Sequence, residues 1–364
     1  MDVAVLHKLL ISAIQKGASD VHLQAGNQPL MRINGELLEV KYHPLTPAET
    51  AAVVEEILGQ TYRKEQMATL SEIDVSYGIE GQGRFRVNIF RQRGTFAIVL
   101  RVIPITILNF TDLHLPPVIE QIANLRRGLV LITGATGNGK STTMAAILEH
   151  INQSRRAHIL TIEDPIEFLF RNKTSVVSQR EVGSDTPAFG RALTAALRQD
   201  PDVIMIGEMR EQETVEIALK AAETGHLVLS SLHTLDAVKT IARLVGFYPP
   251  DQEGVVRKRL ADCLMSIVSL RLLPRKGVHG RIPAVEVVRV TRTIQECIRD
   301  SAKTTDLPEH IHKGGEMYGM QTFDMHLAKL VKEGQVEMEI AKLAASNPAD
   351  LERAILLEGG ESGE

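Results

Sequence analysis

The hydrophobic positions at the start of the chain recur at helical spacing, with Val3, Leu6, Leu9, Leu10 and Ile14 on one face. Asp2 stands before that face as a candidate N-cap and Gly17 after it as a candidate C-cap, so the pattern predicts an amphipathic helix. The pattern then shortens to runs of strand length at Val21–Leu23, Met31–Ile33 and Glu36–Leu38. The last two are joined by Asn34-Gly35, the strongest two-residue hairpin signal. Arg84–Phe90 alternates Phe85, Val87 and Ile89 with polar residues, and Phe96–Ile103 adds a further strand. Residues 1–103 therefore predict a small α+β domain. Residues 104–117, with Pro104, Pro116 and Pro117, read as a linker.

From residue 118 to 364 the pattern changes. Apolar runs at Leu129–Ile132, Ile159–Ile162, Val203–Ile206 and Leu227–Leu229 alternate with helical segments, which is the signature of a parallel sheet covered on both faces. Met144, Ile147, Leu148 and Ile151 share one helical face, as do Val215, Ala218 and Ala222. Beyond about residue 255 the pattern reads as mostly helical, and Glu358–Glu364 as a solvated tail. The expected fold class is α/β with a smaller N-terminal α+β domain.

Composition narrows the function classes. At 364 residues, 44% hydrophobic and 24% charged, the chain is globular in character and long enough for two domains. A net charge of −4 supplies no basic stripe, which disfavours a nucleic-acid partner. Cys263 and Cys297 are too few for a four-ligand zinc site or a disulfide framework, and this points to a reducing, cytoplasmic compartment. No apolar run approaches the 18 residues of a spanning helix, and Met1-Asp2-Val3-Ala4 has no basic leader pattern. Any membrane role is thus expected to come through a partner.

The decisive chemistry lies at Gly134-Ala135-Thr136-Gly137-Asn138-Gly139-Lys140-Ser141, a full match to GxxxxGK[ST]. An apolar strand precedes the motif and an amphipathic helix follows it, as a phosphate-binding loop requires. The glycines let backbone N–H groups curl around phosphate oxygens, and the helix N-terminus adds partial positive charge. Gly134, Thr136, Gly137, Asn138, Gly139, Lys140, Ser141 and Thr142 are the nucleotide-contact candidates, with Lys140 on the β/γ-phosphates and Ser141 on Mg²⁺. The implied cofactors are ATP and Mg²⁺.

The other apolar runs also end in polar residues: Glu163-Asp164, Glu208 after Gly207, and His233. In open parallel sheets ligands bind outside the carboxyl ends of the strands, so these side chains are expected to converge on the bound phosphates. Val203–Glu208 has the form of a strand whose terminal carboxylate serves Mg²⁺, directly or through water. Glu163 is the better candidate for polarising the attacking water, because hydrolysis needs a carboxylate not committed to the metal. The reverse assignment stays open. His226 and His233 flank the fourth run, each either a contact to the γ-phosphate or metal shell or a structural hydrogen-bonder.

Together, Gly17–Leu23, Arg84–Asn88, the phosphate loop, Thr161–Glu167, Gln199–Asp202 with Gly207–Arg210, and Ala222–Leu227 resemble the motifs of secretion-superfamily ATPases. Within that group the chain most resembles the type IV pilus retraction ATPases, the PilT family. The resemblance implies a PAS-like N-terminal domain, a RecA-like ATPase domain and a homohexameric ring. It also implies a cytoplasmic site at the inner-membrane base of the pilus, with the platform protein and pilin machinery as partners. It places Glu163 in the family's Asp box, Glu208 in Walker B, and His226 and His233 in the His box. Arg86 and Arg101 match arginines that close a neighbour's site, with Arg84, Arg91 and Arg93 as nearby alternatives. The tetracysteine insertion and long N-terminal extension of assembly and secretion members have no counterpart here, which favours retraction over extension. Thr293–Asp300 keeps Ile294, Ile298 and Arg299 of the retraction signature. An auxiliary retraction paralogue, a secretion or assembly ATPase, a nucleic-acid translocase and a non-motor ATP-binding regulator are the competing readings.

Overall fold

The computed structural model of the chain describes residues 1–59, 67, 69–103, 106–278 and 280–359. Pro104 and Ile105 of the expected linker, and residues 360–364 of the expected tail, lie outside the described residues. The chain divides into two compact units, Met1–Thr106 with Glu167–Leu169, and Ile107–Ile166 with Phe170–Glu364.

In the first unit the helix Val3–Gln15 begins where the Asp2 carboxylate accepts from the Val5 N–H at 2.8 Å, satisfying one of the orphan donors of a helix start. Then come β1 (Asp20–Gln24), β2 (Leu30–Ile33) and β3 (Glu36–Glu39). Asn34 and Gly35 turn β2 into β3 at φ 51° and 89°, the paired positive values of a tight hairpin. A second helix, Pro47–Leu58, opens on a reciprocal Thr46–Glu49 cap. β4 (Glu72–Ile79), β5 (Gly83–Gln92) and β6 (Thr95–Ile103) complete a six-stranded antiparallel sheet in the order β3-β2-β1-β6-β5-β4. Phe85, Val87, Ile89, Ile98 and Leu100 pack with Leu6, Leu10, Val53 and Val54 in one core. The strand register sets Arg32, Asp20, Arg101, Arg86 and Ser76 in a single cross-strand row.

The second unit is built on β7 (Gly128–Thr133), β8 (His158–Glu163), β9 (Val176–Glu181), β10 (Val203–Ile206), β11 (Leu227–Leu232), β12 (Leu264–Pro274) and β13 (Arg281–Arg289). Their order is β13-β12-β7-β11-β10-β8-β9, parallel throughout except at the β12–β13 edge. Every residue of β7, β10 and β11 is buried, which explains their uninterrupted apolar runs. Helices Val118–Ala123 and Lys140–Ser154 cover one face through Ile119, Met144, Ile147 and Ile151. Helices Phe189–Ala196, Gln212–Glu223, Ala237–Val245 and Glu253–Cys263 cover the other through Ala192, Val215, Ile241 and Leu260. Each fully buried Leu, Ile or Val side chain contributes about 1.5–3 kcal/mol relative to exposure, so this double cover dominates the unit's stability.

Most of the segment after residue 255 is helical as expected, but β12 and β13, which the pattern does not mark, place twenty of its residues in strands. An apolar run such as Ile267–Leu273 carries no period that separates strand from buried helix. Its place beside β7 decides the matter. The helix Arg292–Arg299, which holds the retraction-like signature, turns Ile294, Cys297 and Ile298 into the core, and Arg299 pairs with Asp262 at 2.6 Å.

β13 also carries the buried carboxyl group of Glu286. Its Oε1 accepts from the Ala237 N–H at 2.8 Å and the Ser269 hydroxyl at 3.1 Å, and Ser269 in turn accepts from the Thr133 hydroxyl at 3.0 Å. Burial pushes Glu286 up to about 7, against those hydrogen bonds. The native state therefore holds a proton that the unfolded chain releases near its ordinary carboxylate pKa, and stability falls as pH rises from about 4.5 to 7. Glu286→Gln is expected to match the wild type in urea denaturation at pH 5 and to exceed it at pH 8, by on the order of 3 kcal/mol. An unchanged pH slope in the variant would remove Glu286 as its source.

Candidate active site

β7, β11, β10 and β8 are consecutive neighbours in the sheet, so their carboxyl ends line up side by side. The loop after β7 is the glycine-rich segment. Gly134 has φ 142°, and a Cβ there would lie 2.6 Å from the Leu270 carbonyl oxygen, so only glycine fits between the loop and β12. Gly139, at φ 87°, reverses the chain into the helix Lys140–Ser154. The first-turn N–H groups of that helix, including those of Ser141 and Thr142, have no intrahelical acceptors, as at any helix start.

Lys140 is 8% exposed and curls back across the loop, donating to the carbonyls of Gly134 at 2.9 Å and Ala135 at 3.1 Å. Its ammonium also lies 3.3 Å from His233 Nδ1, and the Thr136 hydroxyl lies 3.4 Å from the same atom. An ammonium only donates, so Nδ1 accepts and the ring proton sits on Nε2. That nitrogen lies 3.2 Å from Glu208 Oε1, while Arg210 holds Glu208 Oε2 at 2.8 Å. Partial burial raises the Glu208 pKa, but the hydrogen bonds from Arg210 and His233 and the charge of Arg210 outweigh it and hold the carboxyl below its ordinary range. Lys140, His233 and Glu208 thus form one continuous chain of polar contacts across β7, β11 and β10.

Glu163, the last residue of β8, is 5% exposed. Its Oε1 receives the Thr161 hydroxyl at 2.6 Å and Gln179 Nε2 at 3.2 Å. Lys140, His233 and Glu208 are therefore bonded in one chain, and Glu163 is held in a second frame by Thr161 and Gln179.

Other expected residues fall elsewhere. His226 precedes β11 at its amino end, where its N–H and Nδ1 both engage the Ala221 carbonyl and Nδ1 meets the Thr224 hydroxyl at 3.2 Å. The length of β11, six residues at about 3.3 Å each, separates it from the loop, so within one chain His226 ends the helix Gln212–Glu223. Asn138 staples the loop to β12, its Nδ2 donating to the Leu270 carbonyl at 3.1 Å and its Oδ1 accepting from the Leu272 N–H at 3.4 Å. Its part is to shape the loop. Arg86 and Arg101 face each other across β5 and β6 in the first unit, and Asp20 holds Arg101 at 3.0 Å. Of the alternatives, Arg91 is taken up by Phe96, 4.4 Å beneath its guanidinium, and by the Leu70 carbonyl.

Residues that the sequence did not single out are Arg210, Thr161 and Gln179. Thr161 lies two residues before Glu163 on β8, a spacing that puts alternate strand residues on one face, and Arg210 lies two residues after Glu208 in the loop that follows β10. Gln179 comes from another strand and left no local signal.

The chain matches the family described as Type II/IV secretion system protein over residues 3–345. It is 42% identical over 341 residues to the type IV pilus retraction ATPase PilT of Pseudomonas aeruginosa, covering 94% of this chain and 98% of that protein. It is 39% identical to a twitching motility protein of Neisseria gonorrhoeae, covering 94% and 91%. Among solved structures it is similar to the pilus retraction motor PilT with bound ADP, at a TM-score of 0.87 and 43% identity, over 95% of this chain and 98% of that one. With a near-complete match in sequence and in fold, and with the phosphate loop and strand-end carboxylates in place, the chain belongs to the type II/IV secretion system protein family.

Proposed function

We propose that this chain is the ATP-hydrolysing motor of type IV pilus retraction, the engine of twitching motility. The observation that supports the reading is the chain of contacts from Lys140 of the phosphate loop through His233 to Glu208, with Glu163 at the end of the neighbouring strand β8. Lys140 and the helix N-terminus bind the nucleotide's phosphates, and Ser141 offers a hydroxyl to Mg²⁺. Among the described residues no group of three or more His, Cys, Asp or Glu forms a metal cage, so the cation would be held jointly by Ser141, Glu208, phosphate oxygens and water. The donor set fits such a hard cation. Mg²⁺ there would neutralise charge developing on the transferred phosphoryl group.

The two carboxylates divide the work by their surroundings. Glu208, held anionic between Arg210 and His233, suits a metal shell better than proton uptake. Glu163, oriented by Thr161 and Gln179, is assigned to the attacking water.

The motor is a homohexameric ring at the cytoplasmic face of the inner membrane, working on the pilus platform protein and pilin machinery. Among the described residues no helix is long and apolar enough to cross a membrane, so that placement rests on partners. In the ring, Arg86 and Arg101 complete a neighbouring subunit's site. Their cross-strand row holds three arginines, counting Arg32, against the single Asp20, an excess of positive charge suited to a polyphosphate. Hydrolysis would remove the charge they bind and release a domain movement. Residues 1–103 act as the PAS-like domain, 104–117 as the linker and 118–364 as the RecA-like domain.

Deleting the gene in its host and counting surface pili alongside surface motility tests the reading. Excess pili with lost motility is the expected result. Bald cells would mean assembly or secretion instead, and cells with unchanged pili and motility would overturn a principal role in retraction.

A further inference from the structure

Gln179 lies on β9, an edge strand of the second unit's sheet, directly beside Thr161 in the β8–β9 register. Two contacts of its amide fix each other. The Phe170 backbone N–H donates to Gln179 Oε1 at 2.9 Å, and a backbone N–H can only donate. The amide oxygen is thereby bound to face Phe170, and Nε2 is left to face Glu163, where it donates to Oε1 at 3.2 Å. The Thr161 hydroxyl donates to the same oxygen at 2.6 Å from the neighbouring position on β8. Two donors from two strands meeting on one carboxyl oxygen restrict rotation of the Glu163 head group as well as its position.

That restriction matters for hydrolysis. A base acts only when its oxygen stands within hydrogen-bond reach of the water it polarises, and a displacement of about 1 Å costs on the order of a hundredfold in rate. A buried glutamate at a strand end has several rotamers open to it, and a main-chain-anchored amide removes most of them. We infer that Gln179 is a positioning residue for hydrolysis, holding Glu163 in the orientation that serves the attacking water. The inference rests on the role proposed above for Glu163. It also links the segment between β8 and β9 to the chemistry, since the Phe170 main chain sets which end of the amide Glu163 meets.

The competing account gives Gln179 only the task of satisfying the Phe170 N–H, and one substitution separates the two. Gln179→Glu keeps an acceptor for Phe170 but replaces the donor toward Glu163 by a second carboxylate oxygen. Gln179→Met keeps the length and removes the contacts to Phe170 and Glu163. The measurement is ATP turnover by the full-length protein with Mg²⁺, followed as phosphate release, with kcat and KM separated. Both variants are expected to lose about tenfold in kcat, with KM for ATP within about twofold, because the lost contact is a hydrogen bond to a charged group. In a Glu163→Gln background, Gln179→Met is expected to cost nothing further in single-turnover hydrolysis, as residues acting through one group are not additive. Wild-type kcat in Gln179→Glu would overturn the inference and leave the anchoring of Phe170 as the residue's task. So would a full tenfold loss from Gln179→Met in the Glu163→Gln background. Wild-type kcat in Glu163→Gln alone would instead overturn the role of Glu163, and the inference with it.

Discussion

Lys140→Ala is expected to lower Mg²⁺-dependent phosphate release by about a thousandfold or more, and to abolish retention of ATP at concentrations that saturate the wild type. The size follows from what the side chain does in the loop. Its ammonium is drawn across the loop by the carbonyls of Gly134 and Ala135 and lies against His233, and in the proposed role it would meet the β- and γ-phosphates from there. Its burial makes the charge worth more than in water. Alanine removes the main cationic side chain of the loop together with the contact that joins it to His233 and Glu208. The fold is expected to survive, because the core of the second unit is built from β7 and its neighbours rather than from the loop. Equilibrium nucleotide binding and phosphate release, measured beside thermal unfolding, check the point. Turnover within about twofold of the wild type, with the fold intact, would remove Lys140 from the site.

Glu163→Gln is the second large effect, and its signature differs. Glutamine preserves the side chain's shape and can still accept from Thr161 and Gln179 through its amide oxygen, so the site should stay assembled. What it cannot do is draw a proton from water. Loss of general-base action is expected to lower kcat by about a hundredfold to a thousandfold while ATP affinity remains within about threefold. Lys140→Ala fails at binding, whereas Glu163→Gln should bind and stall. A variant with normal kcat would pass the assignment to Glu208, the exchange that the sequence alone leaves open. The surroundings speak against that exchange, since the ion pair with Arg210 and the contact with His233 hold Glu208 anionic and make it a poor proton acceptor.

Much of this site is legible in the sequence, for local physical reasons. A phosphate loop requires glycines at fixed offsets, a lysine and a hydroxyl within eight residues, so the sequence carries it whole. Buried parallel strands must be apolar along their length, which exposed four of them and, with them, the polar residues at their ends. The same logic does not reach β12, whose apolar run has no period to mark it as a strand, and it leaves His226 open between two roles, since His226 adjoins β11 as His233 does but at the other end.

The sequence by itself determined the chemistry offered: a nucleotide loop, two strand-end carboxylates, a histidine, and a family assignment resting on motifs spread along the chain. Only the tertiary structure decided which groups meet. The sheet order β7-β11-β10-β8 makes neighbours of segments that are far apart in the chain, and it turns Lys140, His233 and Glu208 into one chain of contacts. It also brings Gln179 from β9 onto Glu163, and commits Asn138 to Leu270 and Leu272, more than 130 residues away. Motif spacing records what must be close along the backbone. Contacts between strands depend on sheet order and register, which are set by how all the apolar faces are buried at once.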